Sequence, residues 1–356
     1  MILESIKILK TNHTFAQKIN YIKYLFSPKK VILNYDPITI SIVPTGRCTL
    51  SCDMCPTHSK IIPNSYPYIQ EPVKDMDIQT FKQIIDRFHK ALNVHIIGSG
   101  EPMLNKDFFD MVDYAYSKKM KVKTFSNGTI IDENIDKIVN SKLDGITISI
   151  NSYNSEDYHR MTGNDKEWYE KIYNSTKRLV YYRNKVNSKV KIKLSFILDK
   201  INYIHIPDMI NVGLDINADM IFLCNFLPSP YDGFKVEERT LIKDEKVIST
   251  LKKFFNDLTP DLRKRILFPP VLDIDSEFNQ CKTHFYQIRI NGDGDVSSCS
   301  MMLLNMKNKG HFLDKDVWNN EFFQEMRQRF IKNDRNILEE PCKVCIENLG
   351  IKPYKK

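Results

Sequence analysis

The chain has 356 residues, of which 42% are hydrophobic and 27% charged, a composition typical of a globular protein with one large core and a smaller module. No apolar run approaches the roughly eighteen residues that span a membrane, and the N-terminus lacks the apolar segment of a signal peptide. We therefore expect a cytoplasmic protein without a membrane span. The net charge of +8 is mild and gives no reason to expect nucleic-acid binding.

Strand and helix patterns alternate six times between residues 38 and 227. The first strand, 38–43, is a short β-branched run, and Asp77 then caps a helix whose apolar positions recur with the helical period. Further strands are predicted at 94–97, 121–125, 146–150, 190–198 and 220–223, with helices near 108–117, 135–139, 168–182 and 204–212. This alternation predicts parallel strands joined by right-handed crossovers.

Two architectures fit this order of elements: an open doubly wound sheet, or a partial barrel of the TIM type. In both, ligands bind at the carboxyl ends of the strands. Polar and glycine-rich segments follow those ends, namely a cysteine loop, GSGEP at 98–102, SNG at 126–128 and Asn151. One pocket at this edge of the sheet is therefore expected.

The sequence changes character after residue 227. Prolines and a glycine mark a connector, and a charged helix follows at about 244–258. A hairpin is then predicted from two short strands, 286–290 and 295–298, joined by an Asn-Gly-Asp-Gly turn, and a helix at 321–331. We divide the chain into an N-terminal extension (1–37), a β/α core (38–227), a connector (228–272) and a small α+β module (273–356).

Seven of the eight cysteines form two groups, one in the core and one in the C-terminal module. Cys48, Cys52 and Cys55 follow the first strand with the spacing CxxxCxxC. Three thiolates can hold three irons of a [4Fe–4S] cluster and leave the fourth iron open to a small molecule. The alternative is a zinc site completed by His58, although zinc loops favour a two-residue spacing.

This loop, placed directly after the first strand of a β/α series, resembles the signature of the radical S-adenosylmethionine (SAM) superfamily. The resemblance covers most of the chain: segment 98–102 is similar to the family's GGEP motif, and 126–128 to the polar turn that closes the third strand. By this resemblance Glu101 holds the amino group of SAM. The residues that the resemblance assigns to SAM are Gly98, Gly100, Glu101, Pro102, Ser126, Asn127, Ser149, Asn151 and Arg160.

The resemblance also implies a fold and a chemistry. The fold is a partial (β/α)6 TIM-type barrel, with a [4Fe–4S] cluster on Cys48, Cys52 and Cys55 beside bound SAM. An electron from a partner such as flavodoxin or ferredoxin passes through this cluster to SAM, and the resulting 5′-deoxyadenosyl radical removes a hydrogen atom from the substrate. The chain departs from the family at Met54, where an aromatic residue usually contacts the adenine.

The second group comprises Cys281 and Cys299, which flank the predicted hairpin, and the CxxC pair Cys342 and Cys345. Two cysteine pairs are also the pattern of a zinc ribbon, and the spacing alone leaves both readings open. Beside a radical SAM core, the four cysteines resemble a C-terminal SPASM or twitch module with one auxiliary [4Fe–4S] cluster. Four thiolates saturate that cluster, so we expect it to transfer electrons. The lone Cys224 is expected to be a core residue, with a hydrogen-atom donor as the alternative.

These expectations combine into a radical SAM oxidoreductase that oxidises a small or sugar-like molecule, with the auxiliary cluster as electron acceptor. One alternative is a maturase or epimerase acting on a peptide. Only 37 residues precede the first strand, fewer than a leader-peptide recognition domain needs, which disfavours that alternative. The other alternative is a non-catalytic zinc or iron–sulfur protein, and the GSGEP and SNG turns speak against it because a structural site would not need them.

Overall fold

The computed structural model describes residues 2–61, 74–226, 239, 241, 244–269, 271–273, 281–299, 309–332, 337, 342 and 350–352. Within these ranges no helix is long and apolar enough to cross a membrane. The strands are β1 (Thr39–Ile42), β2 (Asn93–Ile96), β3 (Lys121–Ser126), β4 (Gly145–Asn151), β5 (Lys191–Leu198), β6 (Met220–Asn225), β7 (Ile266–Leu267), β8 (Val271–Asp273), β9 (Gln287–Ile290), β10 (Val296–Ser297) and β11 (Gly350–Lys352). The helices are α1 (Ile2–Leu9), α2 (Phe15–Phe26), α3 (Ile78–Arg87), α4 (Phe108–Ser117), α5 (Ile135–Asn140), α6 (Ser155–Thr162), α7 (Glu167–Lys185), α8 (Ile206–Asp215), α9 (Glu245–Asp257), α10 (Pro260–Arg265) and α11 (Glu321–Ile331).

The predicted elements of the core are all present, with ends shifted by a few residues, and so are the predicted hairpin (β9 and β10) and the helix α11. Local signals explain this agreement. The Asp77 carboxylate accepts hydrogen bonds from the backbone of Gln79 and Thr80, both at 2.8 Å, and so fixes the start of α3. Several elements lie in segments for which the sequence predicted none: the helices α1, α2, α6 and α10 and the short strands β7, β8 and β11.

Strands β1 to β6 lie side by side in chain order, and all five of these pairs are parallel. Because crossovers are right-handed, a sheet without a reversal of strand order places its connecting helices on one face. A doubly wound sheet would need such a reversal. The fold is therefore an α/β partial barrel, which decides between the two architectures left open by the sequence.

The two faces of this sheet differ in character. The outer face, under the helices, is apolar and fully buried, with Ile40, Val94, Val122, Ile146 and Ile192 in its centre. Alternate residues of the same strands form the inner face, which is covered at β1, where Ser41 is buried, and open in the middle of the sheet, where Phe125 is 43% exposed. The partial barrel thus encloses a concavity lined by side chains that the outer helices do not cover.

The C-terminal module continues the same sheet. Strand β9 pairs in parallel with β1, with Ser41 opposite Arg289, and β10 returns antiparallel to β9. The N-terminal segment contacts this module: the Trp318 indole N–H donates a hydrogen bond to the backbone carbonyl of Tyr35 at 3.0 Å. Strand β7 extends the opposite edge beside β6.

Candidate active site

The first cysteine loop begins a few residues after β1, at the carboxyl edge of the sheet. Burial raises the pKa of Cys52 to about 12, and it also raises the pKa of Cys55. Thiols in such surroundings stay protonated unless a positive charge stabilises the thiolate, and bound iron supplies that charge. The three thiols therefore fit the ligands of a metal cluster.

The spacing of these thiols bears on the choice between zinc and a cluster. Among the described residues, no three His, Cys, Asp or Glu side chains converge closely enough to hold one metal ion. A cubane binds each thiolate to a different iron, so its ligands need not meet at one point. The geometry gives no support to a zinc site built from the three cysteines and His58.

The loop is held by the segment that follows α6. The Asn164 side-chain amide donates to the Cys52 sulfur at 3.3 Å, and its oxygen accepts from the Ser51 backbone at 3.2 Å. The Asp53 backbone N–H donates to the Thr162 carbonyl at 2.8 Å. Between them Gly163 has φ +71°, and a Cβ there would lie 2.5 Å from the Asp53 carboxylate. Only glycine allows both this left-handed turn and this close approach.

The GSGEP turn after β2 packs directly against the cysteine loop. A Cβ at Gly100 would lie 2.1 Å from the carbonyl oxygen of Arg47, the residue before Cys48. That same carbonyl accepts a hydrogen bond from the Glu101 backbone at 2.8 Å. The glycine therefore joins the two predicted motifs through their backbones.

Glu101 is the buried centre of the site. Its carboxylate accepts hydrogen bonds from the Asn127 backbone at 2.7 Å and from the Ser126 hydroxyl at 3.1 Å. Burial raises the pKa of Glu101 to about 7, although these hydrogen bonds act in the opposite direction. The Asn127 side-chain amide reaches the Cys48 sulfur at 3.4 Å. The GSGEP turn, the SNG turn and the cysteine loop are thus connected by direct contacts.

Two polar atoms at this edge suit a bound ligand. The hydroxyl oxygen of Ser99, inside the GSGEP turn, and Nε2 of His58 are buried and make no hydrogen bond of good geometry in the described part of the chain. Burial lowers the pKa of His58, and the nearby backbone of Ser99 and Gly46 acts to raise it. Buried polar atoms without partners are rare in folded proteins. Together with the glycine cradle and the Glu101 carboxylate, they fit a polar molecule that carries an amino group, as SAM does.

The remaining predicted SAM residues lie apart from these contacts. Ser149 and Asn151 end β4 at an irregularity of its pairing with β5, where Asn151 has φ +65°, and the Ser149 hydroxyl accepts from Ser195 at 3.4 Å. Arg160 pairs with Asp157 and, at 2.7 Å, with the buried Asp199. Contact with SAM stays a prediction for these three residues, as it does for the residues of the GSGEP and SNG turns.

The second cysteine group is described for three of its four members. Cys281 and Cys342 are buried and Cys299 is half-buried, while Cys345 lies outside the described residues. Burial lowers the pKa of the Lys309 ammonium, and the nearby Cys299 and Cys342 act to raise it. Lys309 is therefore close to both thiols, which brings together two cysteines that are far apart in sequence. Buried thiols next to a cation fit the ligands of a second cluster.

Arg289 connects this module to the inner face of the barrel. Its guanidinium is fully buried and donates to the Ser41 hydroxyl on β1 at 3.1 Å. Burial lowers the pKa of Arg289 to about 10, and the neighbouring Cys299 acts in the opposite direction. The auxiliary cysteine Cys299 therefore lies near the inner face. Cys224 also lies on this face and is exposed, so the prediction that it is a core residue is wrong.

Family models match both halves of the chain. Residues 42–211 match the Radical SAM superfamily. The chain therefore contains a Radical SAM domain. Residues 281–346 match SPASM, an iron–sulfur cluster-binding domain, so the C-terminal module of this radical SAM protein is a SPASM domain. These two domains imply a SAM-binding [4Fe–4S] cluster, SAM itself and an auxiliary cluster.

Two curated relatives and one solved structure are similar to the chain. It is 25% identical to the tungsten-containing aldehyde ferredoxin oxidoreductase cofactor-modifying protein of Pyrococcus furiosus. The 194 aligned residues make up 52% of this chain and 50% of that protein. The chain is 24% identical over 176 residues to the S-adenosylmethionine-dependent nucleotide dehydratase of Selenomonas ruminantium, 48% of this chain and 60% of that protein. The chain thus spans less than two thirds of either relative. SuiB of Streptococcus suis, bound to the precursor peptide SuiA, shares the fold with a TM-score of 0.61 at 16% identity, over 87% of this chain and 70% of that chain.

The structure adds residues that the sequence analysis missed. Asn164 contacts a cluster cysteine from a segment with no recognised motif, so no local signal could have found it. The inner-face side chains did leave a signal, because alternate residues of a strand share a face. In the β3 segment KVKTFS this period places Lys121, Lys123 and Phe125 together.

Proposed function

We propose that this radical SAM enzyme oxidises a small molecule bound inside the partial barrel, and that the SPASM cluster accepts an electron from it. In this proposal Cys48, Cys52 and Cys55 hold the SAM-binding cluster, and the second cysteine group holds the auxiliary cluster. With these groups bound, the first site would supply a radical that removes a hydrogen atom from the substrate, and the second would accept the electron released when the substrate loses a further proton. An external donor such as flavodoxin or ferredoxin reduces the first cluster.

The position of Arg289 carries the proposal. Its hydrogen bond to Ser41 and its proximity to Cys299 put an auxiliary cysteine near the inner face, whose carboxyl edge bears the first cysteine loop. A substrate inside the barrel would therefore lie between the two cysteine groups. That arrangement suits a reaction in which one site removes a hydrogen atom and the other an electron.

The chain's own side chains have definite roles in this proposal. Glu101, buried beneath the cysteine loop, binds the amino group of SAM, and the Asn127 and Asn164 amides stabilise the charged sulfurs of Cys48 and Cys52. The names of two curated relatives refer to a cofactor and to nucleotides, which are small molecules. These two names support a small substrate, whereas a third relative, 30% identical over 122 residues, is named a maturase and supports the alternative of a modifying enzyme.

Reconstitution and two cysteine variants test the proposal. Anaerobically reconstituted protein is expected to bind about eight irons per chain, as two cubanes require. A panel of aminocyclitols, sugar phosphates and nucleotides is screened for molecules that accelerate 5′-deoxyadenosine formation with SAM and dithionite. The stimulating compound is expected to lose two hydrogen atoms by mass spectrometry.

The variants separate the two cysteine groups. Cys52→Ala is expected to abolish 5′-deoxyadenosine formation, whereas Cys342→Ala retains SAM cleavage and forms no oxidised product. Bound zinc without iron would contradict the whole proposal. A product with the mass of the substrate, or full substrate oxidation by Cys342→Ala, would contradict the electron-acceptor role alone.

A further inference from the structure

A row of basic side chains crosses the inner face of the barrel. The strand registers set Arg289 opposite Ser41, Ser41 opposite His95 and His95 opposite Lys123. Lys123 in turn lies opposite Gly145 on β4, and Lys193 follows on β5, two residues after the partner of Gly145. Side chains at paired positions of neighbouring strands point to the same face. Arg289, His95, Lys123 and Lys193 therefore line one part of the concavity. Lys191, the partner of Gly145 itself, lies on the same face, but its side chain is 62% exposed and its ammonium pairs with Asp219 at 3.3 Å.

Gly145 brings the two lysines of this row together. The Lys193 Cε lies 3.8 Å from the place that a Cβ on Gly145 would take, so the Lys193 side chain lies over β4, next to Lys123. Burial lowers the pKa of Lys193, and so does the charge of Lys123. Burial likewise lowers the pKa of His95 to about 4, with both lysines contributing. The three groups thus share one partly buried space.

No acidic side chain neutralises this space within the described residues. Lys123, Lys193 and His95 have neither a salt bridge nor a hydrogen bond there, and Nε of the fully buried Arg289 has no partner. Among the described residues, the one aromatic contact of this group is that of the Lys193 ammonium, which lies 5.4 Å from the centre of the Phe222 ring and keeps its charge without an anion. The carboxylate whose charge acts on Lys193 is that of Asp219, at the amino end of β6. It is already bound by Arg183 at 2.6 Å, by Lys191 at 3.3 Å and by the Ile192 backbone at 2.8 Å.

Unpaired like charges side by side lower the stability of a fold, and such arrangements persist where function requires them. We propose that the substrate carries an anionic group, a phosphate or a carboxylate, that binds inside the barrel to Lys123 and Lys193, with His95 and Arg289 beside it. The inference rests on the proposed function only for the statement that this ligand is the substrate.

The depth of the site sets a minimum distance between the reacting carbon of the substrate and its anionic group. Lys123 lies three residues before Ser126, so the anionic group binds roughly 10 Å below the SAM edge of the sheet. The exposed ring of Phe125 lies between the two levels and can cover the middle of the molecule. A sugar phosphate or a nucleotide has this reach from its reacting carbon to its charge, whereas a short acid such as acetate does not.

Anion binding to the reconstituted holoenzyme with SAM tests the proposal without turnover. Pyrophosphate and malonate serve as probes, titrated by calorimetry and by thermal unfolding at constant ionic strength. We expect at least one of them to bind and to raise the unfolding temperature, because a ligand of the folded state stabilises it. Whichever binds more tightly distinguishes a phosphate from a carboxylate as the natural group.

Two lysines on one strand supply the variant and its control. Lys193→Met is expected to weaken probe binding about tenfold or more, as the loss of a charged hydrogen bond does. Lys191→Met, two residues away and already paired with Asp219, should bind like wild type. Lys123→Met should resemble Lys193→Met, and it provides the same test if one variant folds poorly.

The outcomes are decisive in both directions. Absence of binding by wild type, unchanged binding by both Lys123→Met and Lys193→Met, or equal weakening by Lys191→Met would overturn the proposal. If the probe binds as expected but the turnover product is not oxidised, the proposed function fails while the anion site stands.

Discussion

Gly100 joins the GSGEP turn to the cysteine loop, and alanine there is predicted to disrupt the first cluster site. A Cβ at Gly100 would lie 2.1 Å from the Arg47 carbonyl oxygen and 2.8 Å from the Gly46 carbonyl carbon, where ordinary contacts begin at 3.4 Å. Both atoms belong to the backbone, so the overlap of about 1.3 Å can be relieved only by moving the loop that bears Cys48.

Gly98 is the matched control, in the same turn and also with negative φ. A Cβ at Gly98 would lie 3.1 Å from the Thr45 carbonyl oxygen, which a shift of a few tenths of an ångström relieves. Both substitutions restrict the unfolded chain equally, so their difference isolates the clash. Because overpacking typically costs about 1–3 kcal/mol, we expect a loss of about 3 kcal/mol for Gly100→Ala and less than about 1 kcal/mol for Gly98→Ala.

Urea unfolding of the metal-free proteins measures this difference, and iron analysis after anaerobic reconstitution measures its effect on the site. We expect Gly100→Ala to hold about four irons, those of the auxiliary cluster, and Gly98→Ala about eight. Equal unfolding free energies and equal iron contents for the two variants would refute the claim that the turn presses on the cysteine loop.

Two further predictions concern the same site. Asn164→Leu removes the hydrogen bond that the side-chain amide donates to the Cys52 sulfur. Because such hydrogen bonds stabilise the reduced cluster, the variant should lower the reduction potential of the first cluster by on the order of 50 mV, about 1 kcal/mol. A potentiometric titration followed by EPR measures the shift; Asn127→Leu should act in the same direction, and an unchanged potential in both would contradict the assignment. Burial raises the Glu101 pKa to about 7, so below that pH the carboxyl group is protonated and must lose its proton before it binds the ammonium of SAM. SAM binding should therefore release a proton below about pH 7. The affinity for SAM, relative to that of Glu101→Gln, should rise with pH up to about 7 and then level off. Calorimetry in buffers of different ionisation enthalpy checks this, and equal pH dependence of the two proteins would count against Glu101 as the ligand of the amino group.

Sequence-local signals predicted much of the fold and of the first site. Strand and helix periods depend on near neighbours in the chain, so the β/α series and the β9–β10 hairpin could be read directly. The motif glycines and Glu101 could be assigned because the close turns at strand ends constrain the residue types allowed there. Asn164 could not be found this way, since its role depends on where the end of α6 packs.

What the sequence by itself determined is the succession of strands and helices along the chain, the two cysteine groups and the family to which they point. Only the tertiary structure decided that β9 pairs with β1, a contact between Ser41 and Arg289 across 248 residues. The same is true of the inner face, where the Lys193 side chain reaches over Gly145, the β4 residue opposite Lys123. Alternation along a strand reveals which residues share a face, but which strands adjoin and which face stays open follow from packing of the whole sheet.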